Sequence, residues 1–199
     1  MRELILLRHA HAESAMPGQD DHDRALSVRG RTEAGAAGAW LREHGYLPER
    51  ALCSTARRAR ETLDIVQDVI GYGQTLRLDT IYEATPGALA TLADAHREVS
   101  RLLLVGHNPG LEHLAALMST GRSGDFRGMP AAGIAVLRLP AEAAIEPGVA
   151  ELHDTNGRWD LLAELRAGSM SELSQVLERI RLLKGIRGTE TSIQLATYR

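Results

Sequence analysis

The chain has 199 residues, room for one full domain at roughly 100 to 200 residues per domain and for a small appendage beside it. Its formal net charge of -3, from 23 basic and 26 acidic residues, gives no electrostatic basis for nucleic acid or an anionic membrane as partner, so any bound anion must be held by a local cluster. The one cysteine, Cys53, excludes an intrachain disulfide and a multi-cysteine metal site, and no stretch approaches the ~20 apolar residues of a membrane span.

The N-terminus is too short in apolar residues for a signal peptide, and the expectation is a soluble, cytoplasmic protein. Residues 4–7 form a short apolar run that breaks at Arg8 and His9, the pattern of a buried strand followed by a loop. Ser27 is placed to cap a helix whose small and apolar residues, Ala34, Ala37 and Leu41 among them, keep helical spacing until Gly45. Residues 51–53 read as a second strand and 56–70 as a helix with Leu63, Val66 and Ile70 on one face. Thr85-Pro86 has the form of a cap followed by proline at the first helical position. Residues 102–105 predict a buried strand ending at Gly106-His107, and Asn108-Pro109 repeats the cap-plus-proline pattern. Residues 133–139 predict another strand. Alternating β and α over the first ~140 residues argues for an α/β fold, a mainly parallel sheet with helices on both faces.

Past Pro140 the pattern changes. Residues 149–153 and 159–165 read as strands joined by a turn at Asn156-Gly157, Ser169 and Glu172 as a capping box for a helix reaching Gly185, and 189–195 as a strand. The expected division is a domain of residues 1–140 followed by a small α+β segment (ββαβ) of residues 141–199.

In open α/β sheets, ligands bind beyond the carboxyl ends of the strands, which singles out Arg8-His9, Ser54 with Arg58, and His107. Arginine presents a planar fork that fits phosphate oxygens and stays charged. Arg58 also lies near a helix start, where free N–H groups favour an anion. A neutral imidazole is a competent nucleophile near pH 7 and can form a covalent phospho-enzyme, and a second imidazole, if protonated, adds a phosphate donor. Ser54 lacks the Gly-x-Ser-x-Gly setting of a nucleophile and suits a cap that also donates to phosphate.

The strings Leu7-Arg8-His9-Ala10-His11-Ala12-Glu13, Asp23-Arg24-Ala25-Leu26, Cys53-Ser54 with Arg58-Ala59-Arg60-Glu61-Thr62, Tyr82-Glu83-Ala84 and Val105-Gly106-His107-Asn108-Pro109-Gly110 resemble the histidine phosphatase superfamily, phosphoglycerate mutase-like in fold, and within it the small SixA-type phosphohistidine phosphatases. That resemblance implies His9 as phosphate-accepting nucleophile, Arg8, Arg58 and His107 as the phosphate pocket, Glu83 as general acid, and Arg24, Ser54 and Asn108 as substrate-binding residues. A carboxylic acid that protonates the leaving group needs a raised pKa, expected of a partly buried Glu83. The sequence departs from the family pattern at Ala10, which follows the SixA-like branch, and at Thr55. No cofactor and no metal are implied. The partner is a phosphorylated protein or a small phosphate ester.

Three other readings stand beside this one. His9, His11 and the run Asp20-Asp21-His22-Asp23 supply metal-ligand types, but the arginine beside His9 would repel a cation, and the acidic run reads as an exposed loop. A mutase returning the phosphoryl group to a sugar acid, or a phosphate-recognising binding protein, would use the same residues. From about Glu142 the chain resembles the latter part of an Lrp/AsnC-type ligand-sensing domain, which is ferredoxin-like and self-pairing; this implies self-association through the C-terminal segment, the alternative being that residues 159–165 close the sheet of the first domain.

Overall fold

The structure, a computed structural model, describes residues 1–71, 73–122 and 128–156 with isolated positions at 169, 174, 175, 178 and 179. It divides into two compact units, Met1–Leu162 and Ala163–Arg199, and every strand and helix whose bounds are described belongs to the first. The hairpin partner at 159–165 and the strand at 189–195 lie outside the described residues, and of the helix expected to reach Gly185 only Ser174, Gln175, Glu178 and Arg179 are described, all four helical.

Four parallel strands form the body of one sheet: β1 (Arg2–Arg8), β2 (Arg50–Ser54), β3 (Gln74–Leu78) and β4 (Arg101–Gly106). Two antiparallel strands, β5 (Ile134–Leu139) and β6 (Glu151–Thr155), complete it in the order β3-β2-β4-β1-β5-β6. β6 thus carries the sheet past Pro140, pairing with β5. The sheet is mainly parallel, with helices on both faces.

The unbroken apolar run of β1 follows from its central position. Ile5 and Leu7 enter one core with Cys53, Val105, Ala34 and Leu63; Leu4 and Leu6 enter the opposite one with Leu104, Leu111 and Leu89. Successive strand residues point to opposite faces, and a strand covered on both sides has no reason to alternate in polarity. The first face is covered by α1 (Val28–Glu43) and α2 (Arg57–Ile70), the second by α3 (Pro86–Asp94) and α4 (Gly110–Thr120).

Local signals account for most boundaries. The Ser27 hydroxyl accepts from the Gly30 N–H and starts α1, and that of Thr85 accepts from Ala88 N–H before Pro86 at the head of α3. Asn108 does not cap α4: its amide donates to Glu112 Oε2 (2.8 Å) and to the Met129 carbonyl (2.9 Å), the Asn108-Pro109 peptide is cis, and Pro109 takes the cap position without a side-chain bond. β3 was outside the predicted set because its five residues include only two leucines and it lies at the sheet edge.

Two glycines let backbone segments meet beside the sheet. A Cβ on Gly30 would sit 1.9 Å from the His11 carbonyl oxygen, and one on Gly110 2.3 Å from that of Ala84. Gly35, on the same helix as Gly30, faces open space. Gly30→Ala and Gly110→Ala are therefore expected to lose about 1–3 kcal/mol or more through forced backbone displacement. Gly35→Ala should gain about 0.5–1 kcal/mol from helix propensity. Urea unfolding of the three variants checks both signs.

Candidate active site

The carboxyl ends of the adjacent strands β2, β4 and β1 bring Ser54, His107 and Arg8-His9 to one edge, and the first turn of α2 adds Arg58. The His9 and His107 rings lie 5.0 Å apart between centroids. His9 Nδ1 is 2.8 Å from the carbonyl oxygen of Ala10, which can only accept, so Nδ1 carries the proton. The Arg58 Nε–H donates to His9 Nε2 at 3.2 Å. Both contacts assign the same tautomer and leave a lone pair on Nε2.

Charge reinforces that assignment. Burial, followed by the nearby guanidinium groups of Arg58, Arg8 and Arg24, lowers the His9 pKa to about 4. Burial, then His9 and Arg58, lowers that of His107 to about 3. Both rings are neutral at pH 7, so His107 in the free protein is not the cationic donor considered from the sequence. Its Nε2 is 2.8 Å from Ser54 Oγ, and its Nδ1 is buried without a partner among the described residues. Ser54 is fully buried and accepts from the Ala56 N–H (3.3 Å), so its hydroxyl shapes the turn before α2 while holding His107.

The arginines are held from below. Arg8 Nη1 donates to the Met129 carbonyl at 2.6 Å, its Nε is buried without a partner among the described residues, and the Glu112 carboxylate is close enough to favour its charge. Arg58 is 5% exposed; Nη1 and Nη2 donate to the carbonyl and carboxylate of Asp21 at 2.5 and 2.8 Å, and its guanidinium carbon lies 5.8 Å from the Tyr82 ring centroid. Arg24 pairs with the same carboxylate, Nε to Oδ1 at 2.8 Å, and donates to the Glu13 carbonyl.

Of the residues named from the sequence, Arg8, His9, Ser54, Arg58 and His107 converge and Arg24 joins them through Asp21. Asn108 reaches the site through Met129, which also holds Arg8, and Glu112, whose charge favours that of Arg8; its Oδ1 is buried without a partner among the described residues. Glu83 departs from expectation. It sits exposed at a turn with φ +54°, so the partial burial expected of a general acid is absent. His11 bonds Ser27 Oγ through Nδ1 (2.8 Å), while His9 Nδ1 is committed to Ala10.

Three residues of the site carried no role in the phosphatase reading of the sequence: Asp21, Tyr82 and Glu112. Asp21 stood there only in an acidic run, and Glu112, in the first turn of α4, carried no signal that Asn108, outside that helix, would turn its amide to it. Nothing in the sequence brings Tyr82 to Arg58.

Residues 4–101 match the model of the histidine phosphatase superfamily (branch 1), and an uncharacterized protein of Mycobacterium tuberculosis is 39% identical over 155 residues, 71% of this chain and 94% of that relative. The chain belongs to the histidine phosphatase superfamily. A solved structure from Agrobacterium tumefaciens described as the phosphohistidine phosphatase SixA shares this superfamily's fold at TM-score 0.68 and 31% identity, covering 82% of this chain and 98% of its own. The protein histidine phosphatase SixA complexed with tungstate superposes at TM-score 0.66 and 22% identity, over 77% of this chain and 95% of that one. In this superfamily member, residues 136–199 also match the Lrp/AsnC ligand binding domain, beginning inside β5. An HTH-type transcriptional regulator of Pyrococcus furiosus is 32% identical over 71 residues, 35% of this chain and 47% of the relative. Among the described residues no helix is long and apolar enough to cross a membrane.

The neutral histidine pair links this histidine phosphatase fold to pH. Each ring has an unfolded pKa near 6.5 and a folded value of about 4 or about 3. Between those limits the unfolded chain binds more protons, so this contribution to stability is complete above about pH 6.5 and is lost as pH falls through about 4 and 3. The urea midpoint should decline from pH 6.5 downward, and less steeply in a His9→Gln, His107→Gln double variant. Equal slopes in the two proteins would contradict this assignment.

Proposed function

We propose that the protein is a metal-independent phosphatase working through a phospho-His9 intermediate, on phosphohistidine proteins or small phosphomonoesters. The observation that carries this reading is the His9 ring: neutral at pH 7, its Nδ1 proton committed to Ala10, and its Nε2 lone pair beside the Arg58 guanidinium. Superfamily membership and the SixA-type neighbours support it.

In the first step His9 Nε2 bonds to phosphorus as the bond from phosphorus to the leaving group breaks, with Arg8 and Arg58 offsetting charge on the equatorial oxygens. The departing oxygen or imidazole nitrogen takes a proton from water or from Glu83. A phosphohistidine substrate leaves as imidazole and asks least of an acid, which suits a site whose carboxylate candidate is exposed. In the second step water bonds to phosphorus, the N–P bond breaks and inorganic phosphate departs with the neutral imidazole regenerated. Ser54, donating its hydroxyl to His107 Nε2, leaves the ring proton on Nδ1 as a donor to a phosphoryl oxygen, and Arg24 and Asn108 frame the substrate. The cell compartment we assign is the cytoplasm. For residues 141–199 we propose self-association, supported by the Lrp/AsnC match.

Incubation with a radiolabelled phosphohistidine peptide or aryl phosphate should leave acid-labile label on the wild type and none on His9→Ala. Arg8→Ala and Arg58→Ala should each reduce kcat/KM by about 100-fold or more, as when a donor to transition-state charge is removed. Neither label nor hydrolysis with either substrate would overturn the reading.

A further inference from the structure

The Asp21 carboxylate lies among the catalytic candidates, yet no role in the proposed reaction accounts for it. It belongs to a single turn of 3-10 helix (Asp21–Asp23), capped by the Asp20 side chain, which accepts from the His22 N–H. Asp21 gathers four contacts there. Its carbonyl accepts from Arg58 Nη1, Oδ2 accepts from Arg58 Nη2 and from the Tyr82 hydroxyl (2.8 Å each), and Oδ1 pairs with Arg24 Nε. The two arginines and the tyrosine keep its carboxyl below the usual carboxylate range although half of the side chain is exposed.

Guanidinium geometry gives these contacts their meaning. The group has five N–H donors in one plane, arranged as an end edge formed by the two Nη atoms and a side edge formed by Nε with one Nη. Asp21 occupies the end edge with two acceptors. The side edge is left pointing at His9 Nε2, where Nε already donates at 3.2 Å. A phosphoryl group bonded to Nε2 presents its oxygens to that same edge, so they meet a fork whose orientation is fixed beforehand. Without the Asp21 carboxylate, Arg58 would keep the main-chain carbonyl contact at Nη1 and its place beside Tyr82 but lose the contact at Nη2, the second point that fixes its rotation about the long side-chain axis.

We infer that Asp21 is a positioning residue, which acts through Arg58 by holding its end edge so that the side edge faces the phosphoryl group on His9. Arg24, tied to the same carboxylate, is set at the rim by the same device. The inference rests on the phosphatase reading for its catalytic consequence, while the hold on Arg58 is testable without it.

The test combines a double-mutant cycle with a spectroscopic readout. Asp21→Ala should lower kcat/KM by about 30-fold, mostly in kcat, because a misaimed donor forfeits orientation. In an Arg58→Ala background the same substitution should change kcat/KM by about threefold or less. Asp21→Asn, which keeps the main-chain carbonyl and can turn its one side-chain oxygen toward Arg58 Nη2 while losing the pair with Arg24, should recover activity to within about fivefold of wild type. The Arg58 Nε–H resonance, assigned by its loss in Arg58→Lys, should be protected from exchange in wild type and in Asp21→Asn and broadened in Asp21→Ala. Inorganic phosphate should bind Asp21→Ala about tenfold more weakly.

Equal losses in both backgrounds, or an unaltered Arg58 resonance in Asp21→Ala, would overturn the inference. So would tighter phosphate binding by that variant, which would mark the carboxylate as a competitor of the phosphoryl group. Should wild type hydrolyse nothing, the phosphatase reading fails, and the resonance and phosphate arms still decide whether Asp21 holds Arg58.

Discussion

Burying the Arg58 guanidinium beside a neutral imidazole is the constraint to which the rest of the site answers. A cation taken out of water is costly unless its donors are met, and here they are met by Asp21 at one edge and His9 at the other. The charge of Arg58 then helps keep His9 unprotonated, which preserves the lone pair that a nucleophile needs. Tyr82 completes the enclosure, its ring facing Arg58 and its hydroxyl on Asp21. The proposed anion-binding residue and the proposed nucleophile are therefore coupled in the free protein.

The sheet makes this coupling possible. Only because β2, β4 and β1 are neighbours and parallel do Ser54, His107 and His9 emerge at the same edge. The connections that follow differ in kind. After β2 the chain turns into α2 and supplies Arg58; after β4 it passes the cis Asn108-Pro109 bond into α4, where Glu112 ties together Asn108 and the Met129 N–H. Arg8 is supported from that second side by Met129 and Glu112, and Arg58 from the first by Asp21. Arg8 and Arg58 each have a carboxylate of their own beside them.

The C-terminal match adds a feature that the phosphatase fold does not require. It begins at residue 136, inside β5, so the stretch resembling an Lrp/AsnC domain includes two strands that pair within the sheet of the first unit. β5 is buried along nearly its whole length, like β1, and such an apolar run fits the interior of either sheet because strand pairing is made by backbone donors and acceptors.

Much of this was legible in the sequence. Apolar runs at β1 and β4, caps at Ser27 and Thr85, and polar residues just past strand ends are local signals, and strand adjacency in α/β folds turns those positions into one site. Hence Arg8, His9, Ser54, Arg58 and His107 could be named in advance. Other features depend on side chains meeting across long separations, which no local pattern encodes. Asp21 reads as one acid in a solvated run until Arg58, 37 residues away, is laid against it. Asn108 reads as a cap until Met129 and Glu112 claim its amide. The burial of His9 and His107, and with it their neutrality, exists only once the strands and loops have closed around them. Residue type and local order determined which groups could do the chemistry; tertiary packing decided their protonation and aim, because desolvation and hydrogen-bond geometry are properties of the assembled neighbourhood.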